Sequence, residues 1–333
     1  MKRITILFVS MALLWTACGE EDDSDVFKFT GGRAYSIYSY SYNEVRCPSW
    51  SPDGESIVFT NRGYFQYYRG MYNQYTDLWI MNANGSNAKL LAQTQGRDSN
   101  PRWHPNPAQR EIVFVTIASS GDDSTYSIFT ANISDGNLDT VYVADHRIDY
   151  PSFTHDGAQV VVMVASDGGG LRKITVDGGE VEEMPNSDGW GKVLSAECSP
   201  TEPLVAFFQL KDGAINLYTI PLAGGTPNQM TQFDYGGPEP NYIYDYYKYS
   251  TRLYNVSWFK DGSRMVVTHF SDDNTVAASS WWRTDNVMFF MPAEGGEAVY
   301  MPAYLYCPSM SPEGNSLTGE DWDRIYLMEF DDL

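Results

Sequence analysis

Basic residues are scarce in this sequence: 22 Lys and Arg stand against 43 Asp and Glu, for a formal charge of −21. A surface of that sign repels phosphate, which excludes nucleic acid and anionic lipid headgroups as partners. Histidine and cysteine are also sparse, with four of each in 333 residues. No Cys-x-x-Cys and no His-x-x-x-His occurs, so spacing offers no metal knuckle, and neither a cofactor nor a metal is expected. There is no Gly-x-Ser-x-Gly elbow and no Gly-rich phosphate loop, which removes the motif-bearing hydrolases and nucleotide enzymes from consideration.

Long apolar runs are missing too. The one candidate, Ile4 to Trp15, is interrupted by Thr5 and Ser10 and is too short to span a bilayer as a helix. It follows Lys2 and Arg3 and precedes the small residues Thr16 and Ala17, the order of a secretory signal over residues 1–17. Cys18 comes directly afterwards, and the arrangement resembles the lipobox of bacterial lipoproteins, although Trp15 stands where Leu is usual. The resemblance implies acylation of Cys18 and membrane attachment through that lipid alone; an ordinary cleaved signal with a nearby free thiol is the competing reading. Residues 18–30 open with Gly19-Glu20-Glu21-Asp22-Asp23-Ser24-Asp25, a like-charge run that reads as a flexible tether. Acidic residues in that place resemble the surface-export signal of Bacteroidota lipoproteins, implying an outer-membrane lipoprotein at the cell surface. A plain tether on the periplasmic face remains the alternative.

The strongest signal is internal repetition. Pro48-Ser49-Trp50-Ser51-Pro52-Asp53-Gly54 is echoed at Pro101-Arg102-Trp103-His104-Pro105-Asn106 and at Pro151-Ser152-Phe153-Thr154-His155-Asp156-Gly157. A degenerate copy, Ala196-Glu197-Cys198-Ser199-Pro200, precedes Val256-Ser257-Trp258-Phe259-Lys260-Asp261-Gly262 and Pro308-Ser309-Met310-Ser311-Pro312-Glu313-Gly314. Six units of about fifty residues result. In each, Pro and Gly suit a tight turn, and a β-branched or aromatic run such as Ser56-Ile57-Val58-Phe59-Thr60 follows as a buried strand. A third strand recurs, as in Asp77-Leu78-Trp79-Ile80-Met81-Asn82, usually ahead of a Gly-bearing turn and a short fourth strand.

These segments resemble the repeat of the TolB-type propellers, with its Trp-Ser-Pro-Asp-Gly turn, over roughly residues 45 to 330. The resemblance and the four-strand repeat imply an all-β chain. The expected fold is a six-bladed β-propeller of four-stranded antiparallel blades, occupying residues 31–333 and monomeric. The last unit lacks its fourth strand, and the segment around Arg33 to Ser41 is expected to supply it, so that an N-terminal strand closes the ring. Cys47 and Cys307 occupy the same position in units one and six; equivalent inner-strand positions are expected to exceed the ~7 Å Cα separation a disulfide tolerates, which predicts free thiols.

Candidate chemistry is thin. Of the histidines, His104 and His155 fall in the turn motif, and His146 and His269 elsewhere. Related propellers include lyases that gather metal-binding histidines, but a turn role is the plainer reading here. The acidic groups Asp122-Asp123, Asp272-Asp273 and Glu320-Asp321-Trp322-Asp323 lack calcium-loop spacing and read as solvated loop charge.

Loop length is more informative. The tight turns share one face; the connections between second and third strands, and between units, share the other, and three of these are long. Gly63 to Thr76 holds Tyr64, Tyr67, Tyr68, Tyr72 and Tyr75; Phe233 to Tyr254 holds Tyr242, Tyr244, Tyr246 and Tyr247; Ser271 to Asp285 holds Trp281 and Trp282. Unit six is expected to have only Gly319 to Asp323 at this place, leaving a low gap floored by Trp322. Amphipathic rings at this density suit a glycan or protein ligand, although the same loops could pack together as a cap. The expected function is a non-enzymatic, envelope-anchored propeller binding a protein or glycan through this face. A polysaccharide lyase or other glycoside-processing enzyme and a structural subunit of an envelope complex are the alternatives.

Overall fold

The computed structural model describes residues 26–29, 32–39, 45–62, 76–120, 123–165, 169–233, 254–270, 286–301, 305–321 and 324–331. Apart from one three-residue 3-10 turn at Pro107–Gln109, the regular structure among them is β-strand. Unit one contributes strands Val45–Trp50, Ser56–Arg62, Thr76–Asn82 and Lys89–Ala92; unit two contributes Arg97–Trp103, Glu111–Ser120, Asp123–Asn132 and Leu138–Ala144. Unit three is Ile148–Phe153, Gln159–Val164, Leu171–Thr175 and Val181–Glu183, and unit four is Lys192–Cys198, Leu204–Lys211, Ala214–Pro221 and Asn228–Gln229. Unit five runs Asn255–Trp258, Arg264–Phe270, Asn286–Pro292 and Val299–Tyr300. Within each unit the strands pair antiparallel in chain order, and the sheets of units one and two are linked by a single parallel pairing of Thr76 with Arg97.

Unit six supplies Tyr306–Met310, Ser316–Asp321 and Arg324–Phe330, and its sheet is completed from the other end of the chain. Gly32–Ser39 pairs antiparallel with Arg324–Phe330, as the sequence implied, and Val26–Phe29 adds a fifth strand outside it. Two boundaries therefore move. Residues 26–29 belong to the sheet rather than to the tether, because their backbone is paired with residues 32–35. Gly319 to Asp321 are strand rather than loop, so only residues 322–323 join the second and third strands of this unit.

The first strands of the six units touch one another in chain order, and that of unit six returns to that of unit one. The core is accordingly divided into slabs between neighbouring sheets. Val58, Leu78, Ile112 and Phe114 lie between units one and two; Phe208, Leu217, Trp258 and Phe289 between four and five; Val45, Phe59, Met81 and Ile325 between six and one. Antiparallel sheets stacked face to face in a ring leave no broad open face, which suits the near-continuous apolar runs seen in the second strands.

The repeated motif has two physical jobs. Its turn is an internal hydrogen-bond net: Gly54 N donates to the Ser51 carbonyl at 3.0 Å, Ser56 N to Ser51 Oγ at 2.9 Å and Glu55 N to Asp53 Oδ1 at 3.1 Å. Gly54 sits at φ 74°, where a side chain would be strained. The residue at its aromatic position ties units one, two and four to the unit before. Trp103 Nε1 donates to the Ser49 carbonyl at 2.8 Å, and the Trp50 and Cys198 backbone N–H groups donate to Ser309 Oγ at 3.1 Å and Ser152 Oγ at 3.0 Å.

Candidate functional site

The first strands carry a shared distortion. Cys47, Asn100, Tyr150 and Cys307 all have left-handed φ values, between 47° and 51°, and each directly precedes the motif proline. The pairing register slips by one residue at the same place, between Arg46 and Ser49, Ser99 and Arg102, Asp149 and Ser152, and Tyr306 and Ser309. Proline cannot donate to the ladder, so a bulge accommodates it. A non-glycine residue held left-handed before proline is costly, and such strain concentrates at working sites.

Polar side chains at and beside these bulges form a chain from unit to unit around the axis. Asn100 Nδ2 donates to Asp149 Oδ1 at 2.7 Å, and the Cys47 thiol donates to Asn100 Oδ1 at 3.1 Å. Cys47 Sγ lies 3.1 Å from Cys307 Sγ, and Asn255 Nδ2 reaches Cys307 Sγ at 3.8 Å. Units three, two, one, six and five are joined in that order. The Cys47 backbone N–H also donates to Glu320 Oε2 at 3.2 Å. All six residues are buried. The hydrogen bond with Cys307 and burial push the Cys47 thiol well up, with the Glu320 carboxylate adding to the rise.

Two sequence expectations change here. Cys47 and Cys307 are free, as expected, but their sulfurs are in contact rather than held apart, because the bulges bring both side chains to the axis. Glu320 is not solvated loop charge. It lies on the strand Ser316–Asp321, fully buried, while Asp321 next to it is exposed.

A second polar layer lies toward the tight turns. Arg102 Nε donates to Glu197 Oε2 at 2.9 Å, bridging units two and four past unit three. Burial opposes the Arg102 charge, but Glu197, Cys47 and Cys307 together outweigh it and hold the guanidinium protonated. Glu197 Oε1 also accepts from Ser257 Oγ at 3.2 Å. Lys260, in the turn of unit five, donates to the Pro105 carbonyl of unit two at 3.3 Å, and burial lowers its pKa to about 8. These contacts brace the axis from side to side at the tight-turn end.

The residues expected to bind ligand lie outside the described residues: Tyr64, Tyr67, Tyr68, Tyr72, Tyr75, Tyr242, Tyr244, Tyr246, Tyr247, Trp281, Trp282 and Trp322, as does Cys18. The roots of their loops are described. His269, at the root of the segment 271–285, has its ring 3.8 Å from that of Phe233 and 5.7 Å from that of Tyr254, which flank the segment 234–253. Neither of its ring nitrogens has a hydrogen-bond partner, and burial drops its pKa to about 3, so it is neutral. Asp77 and Asp98 lie at the root of 63–75; burial raises both, Asp98 to about 7.

His104 and His146 make structural contacts. His104 packs on Phe153 at 4.8 Å and accepts from Asn106 N through Nδ1; a Cβ on Gly157 would meet its ring. His146 contacts Asp145 and Arg172. Sequence reading missed the axial residues, although one signal was present: Cys or Asn stands before the motif proline in units one, two and six, where a buried strand should be apolar.

No family model matches the sequence, and no curated protein does. Solved structures do resemble the fold. A putative TolB from Agrobacterium tumefaciens superposes with a TM-score of 0.60 at 12% identity, over 89% of this chain and 93% of that one. A gluconolactonase from Xanthomonas campestris gives 0.59 at 10% identity over 90% of each chain. An oligogalacturonate lyase from Vibrio parahaemolyticus gives 0.54 at 11% identity over 92% and 96%. The fold is thus that of the TolB-like propellers, a scaffold on which unrelated activities are built.

Proposed function

We propose that this chain is a lipid-anchored, six-bladed propeller of the cell envelope that binds a protein or glycan partner through its long-loop face, without catalysing a reaction. The observation that carries this reading is the inequality of the two ends of the axis. At the tight-turn end the charged groups are held by partners, through the Arg102–Glu197 pair and the Lys260–Pro105 bridge, although Trp50 Nε1 and His155 Nδ1 have none. At the other end several buried ionisable groups have an atom without a partner: both ring nitrogens of His269, Asp77 Oδ1 and Asp98 Oδ2, in or bonded to strands that border the three long aromatic segments in the chain. Concave, aromatic-lined ends of rings are where ligands bind by default. The lyase alternative draws on a structural neighbour only. Among the described residues no histidine belongs to a group of three potential metal ligands.

The test pairs binding with folding. Wild type is screened against a glycan array and used to capture envelope proteins, and Tyr67→Ala/Tyr68→Ala and Trp281→Ala/Trp282→Ala are compared with it. Loss of binding by about 2 kcal/mol or more in folded variants supports the reading. Full binding by both places the ligand elsewhere, and lost stability with intact binding makes the loops a cap. Anchoring is tested separately: Cys18→Ser should move the protein from membrane to soluble fractions.

A further inference from the structure

We propose that Cys47, Cys307 and Glu320 form a binding site for a thiophilic divalent cation of the zinc type, on the axis of the ring where unit six meets unit one. One ligand atom from each of the three lies within 4.8 Å of the other two, and all three residues are buried. Two thiols and a carboxylate are a borderline-soft donor set, which suits zinc and disfavours calcium or magnesium. Three protein ligands leave a fourth tetrahedral position for water or a ligand group.

The donors are held in place by their surroundings. Glu320 is fixed by the Cys47 backbone N–H. Asn255 Nδ2 donates to the Cys307 sulfur at 3.8 Å, a contact the thiolate keeps, whereas the Cys47 thiol gives up its bond to Asn100 Oδ1 when it loses its proton. Such outer contacts are what orient ligands in metal centres. Both cysteines are presented by the left-handed bulges described above. Binding follows a balanced exchange: two S–H bonds break, two metal–sulfur bonds form, both protons go to solvent, and the Glu320 carboxylate completes the shell. The site then carries one net negative charge.

A disulfide is the competing use of the same pair. Metal–sulfur bonds of about 2.3 Å in a tetrahedron need the sulfurs to part by several tenths of an ångström, whereas a disulfide needs them to close to about 2.05 Å. The pair does not stand alone: Glu320 is a third donor that a cation uses and a disulfide does not.

Cobalt is the probe, added to reduced, full-length Cys18→Ser protein. A thiolate-to-cobalt charge-transfer band saturating at one equivalent, bleached by zinc and accompanied by a higher melting temperature, is expected. Cys198→Ser should keep the band. Cys307→Ser, checked for folding by circular dichroism, should lose it, and Glu320→Gln should weaken binding roughly 10-fold or more while keeping the band. The absence of a band in the reduced Cys18→Ser protein overturns the proposal, as does its loss when Cys198→Ser is added. So does a count of one free thiol instead of three in unfolded, unreduced protein, which would assign the pair to a disulfide.

Discussion

Trp258 is bound twice to Glu197 of the preceding unit: its ring Nε1 donates to the Glu197 carbonyl and its backbone N–H to Glu197 Oε1, both at 3.1 Å. Trp103 makes the ring contact to Ser49 in the same way. The aromatic of the repeat therefore acts as a latch between neighbouring sheets as well as an apolar wedge. Trp258→Phe keeps most of the apolar volume and removes the Nε1 donor, leaving a buried carbonyl short of a partner. A loss of about 1–2 kcal/mol is expected in urea unfolding. Trp258→Ala should cost about 3–5 kcal/mol. Equal losses for the two variants would mean that the ring hydrogen bond, not the packing, dominates.

Glu197 has a second partner across the axis, Arg102. Removing one member of a buried pair strands the other charge, typically at about 3–5 kcal/mol, whereas replacing both by apolar residues is often close to neutral. Arg102→Met alone should therefore be more damaging than Arg102→Met with Glu197→Leu, once the double variant is corrected for the Ser257 and Trp258 contacts by a Glu197→Leu control. A double-mutant cycle with no coupling energy would show that the brace contributes nothing to the ring.

Closure was readable in the sequence because a strand-like segment, Arg33 to Ser41, precedes the first repeat and belongs to no unit of its own. The structure gives it content. Gly32–Ser39 carries Ala34 into the slab between units five and six and Ile37 and Tyr38 into the slab between six and one. The Tyr38 ring packs at a tilt against Phe59, with centroids 4.9 Å apart. Deleting residues 19–25 should leave the melting temperature nearly unchanged. Deletion through Ser39 opens a paired edge and two core slabs, and should lower it by several degrees or abolish folding. Matching melting curves for the two truncations would rule out closure by this strand.

The contrast between strands and axis explains what the sequence could and could not disclose. Turn and strand signals are local: Ser51, Asp53 and Gly54 lie within four residues, and Ile57 to Phe59 declare a buried strand by composition alone. The axial cluster is assembled through space, from Cys47 and Cys307, 260 residues apart, and from Glu320. No spacing rule links them. Glu320 was misread because its neighbours Asp321 and Asp323 suggest a solvated loop; it is the last of four consecutive buried residues, 317–320, in a strand covered on both faces, and exposure begins only at Asp321. The aromatic loops expected to bind ligand, by contrast, fall outside the described residues, so their role rests on sequence chemistry.

Asp98 gives the fold a pH signature. It is 2% exposed; Oδ1 accepts from Thr94 Oγ1 at 2.6 Å and Thr116 Oγ1 at 2.8 Å, and Oδ2 has no partner. Burial raises its pKa to about 7; the threonines oppose the rise and Asp77 adds to it. In the unfolded chain an aspartate titrates near 4. Between those values the folded state holds a proton that the unfolded state has lost, so stability falls as pH rises. The contribution is fully present below about pH 4 and gone above about pH 7, with a slope of at most about 1.4 kcal/mol per pH unit. Asp98→Asn keeps the Oδ1 acceptor and places an uncharged amide where Oδ2 stood. Denaturant midpoints from pH 4.5 to 8 should show wild type losing ground to the variant as pH rises, with the gap largest above pH 7. A gap of the same size at every pH would mean that Asp98 does not change its protonation on folding.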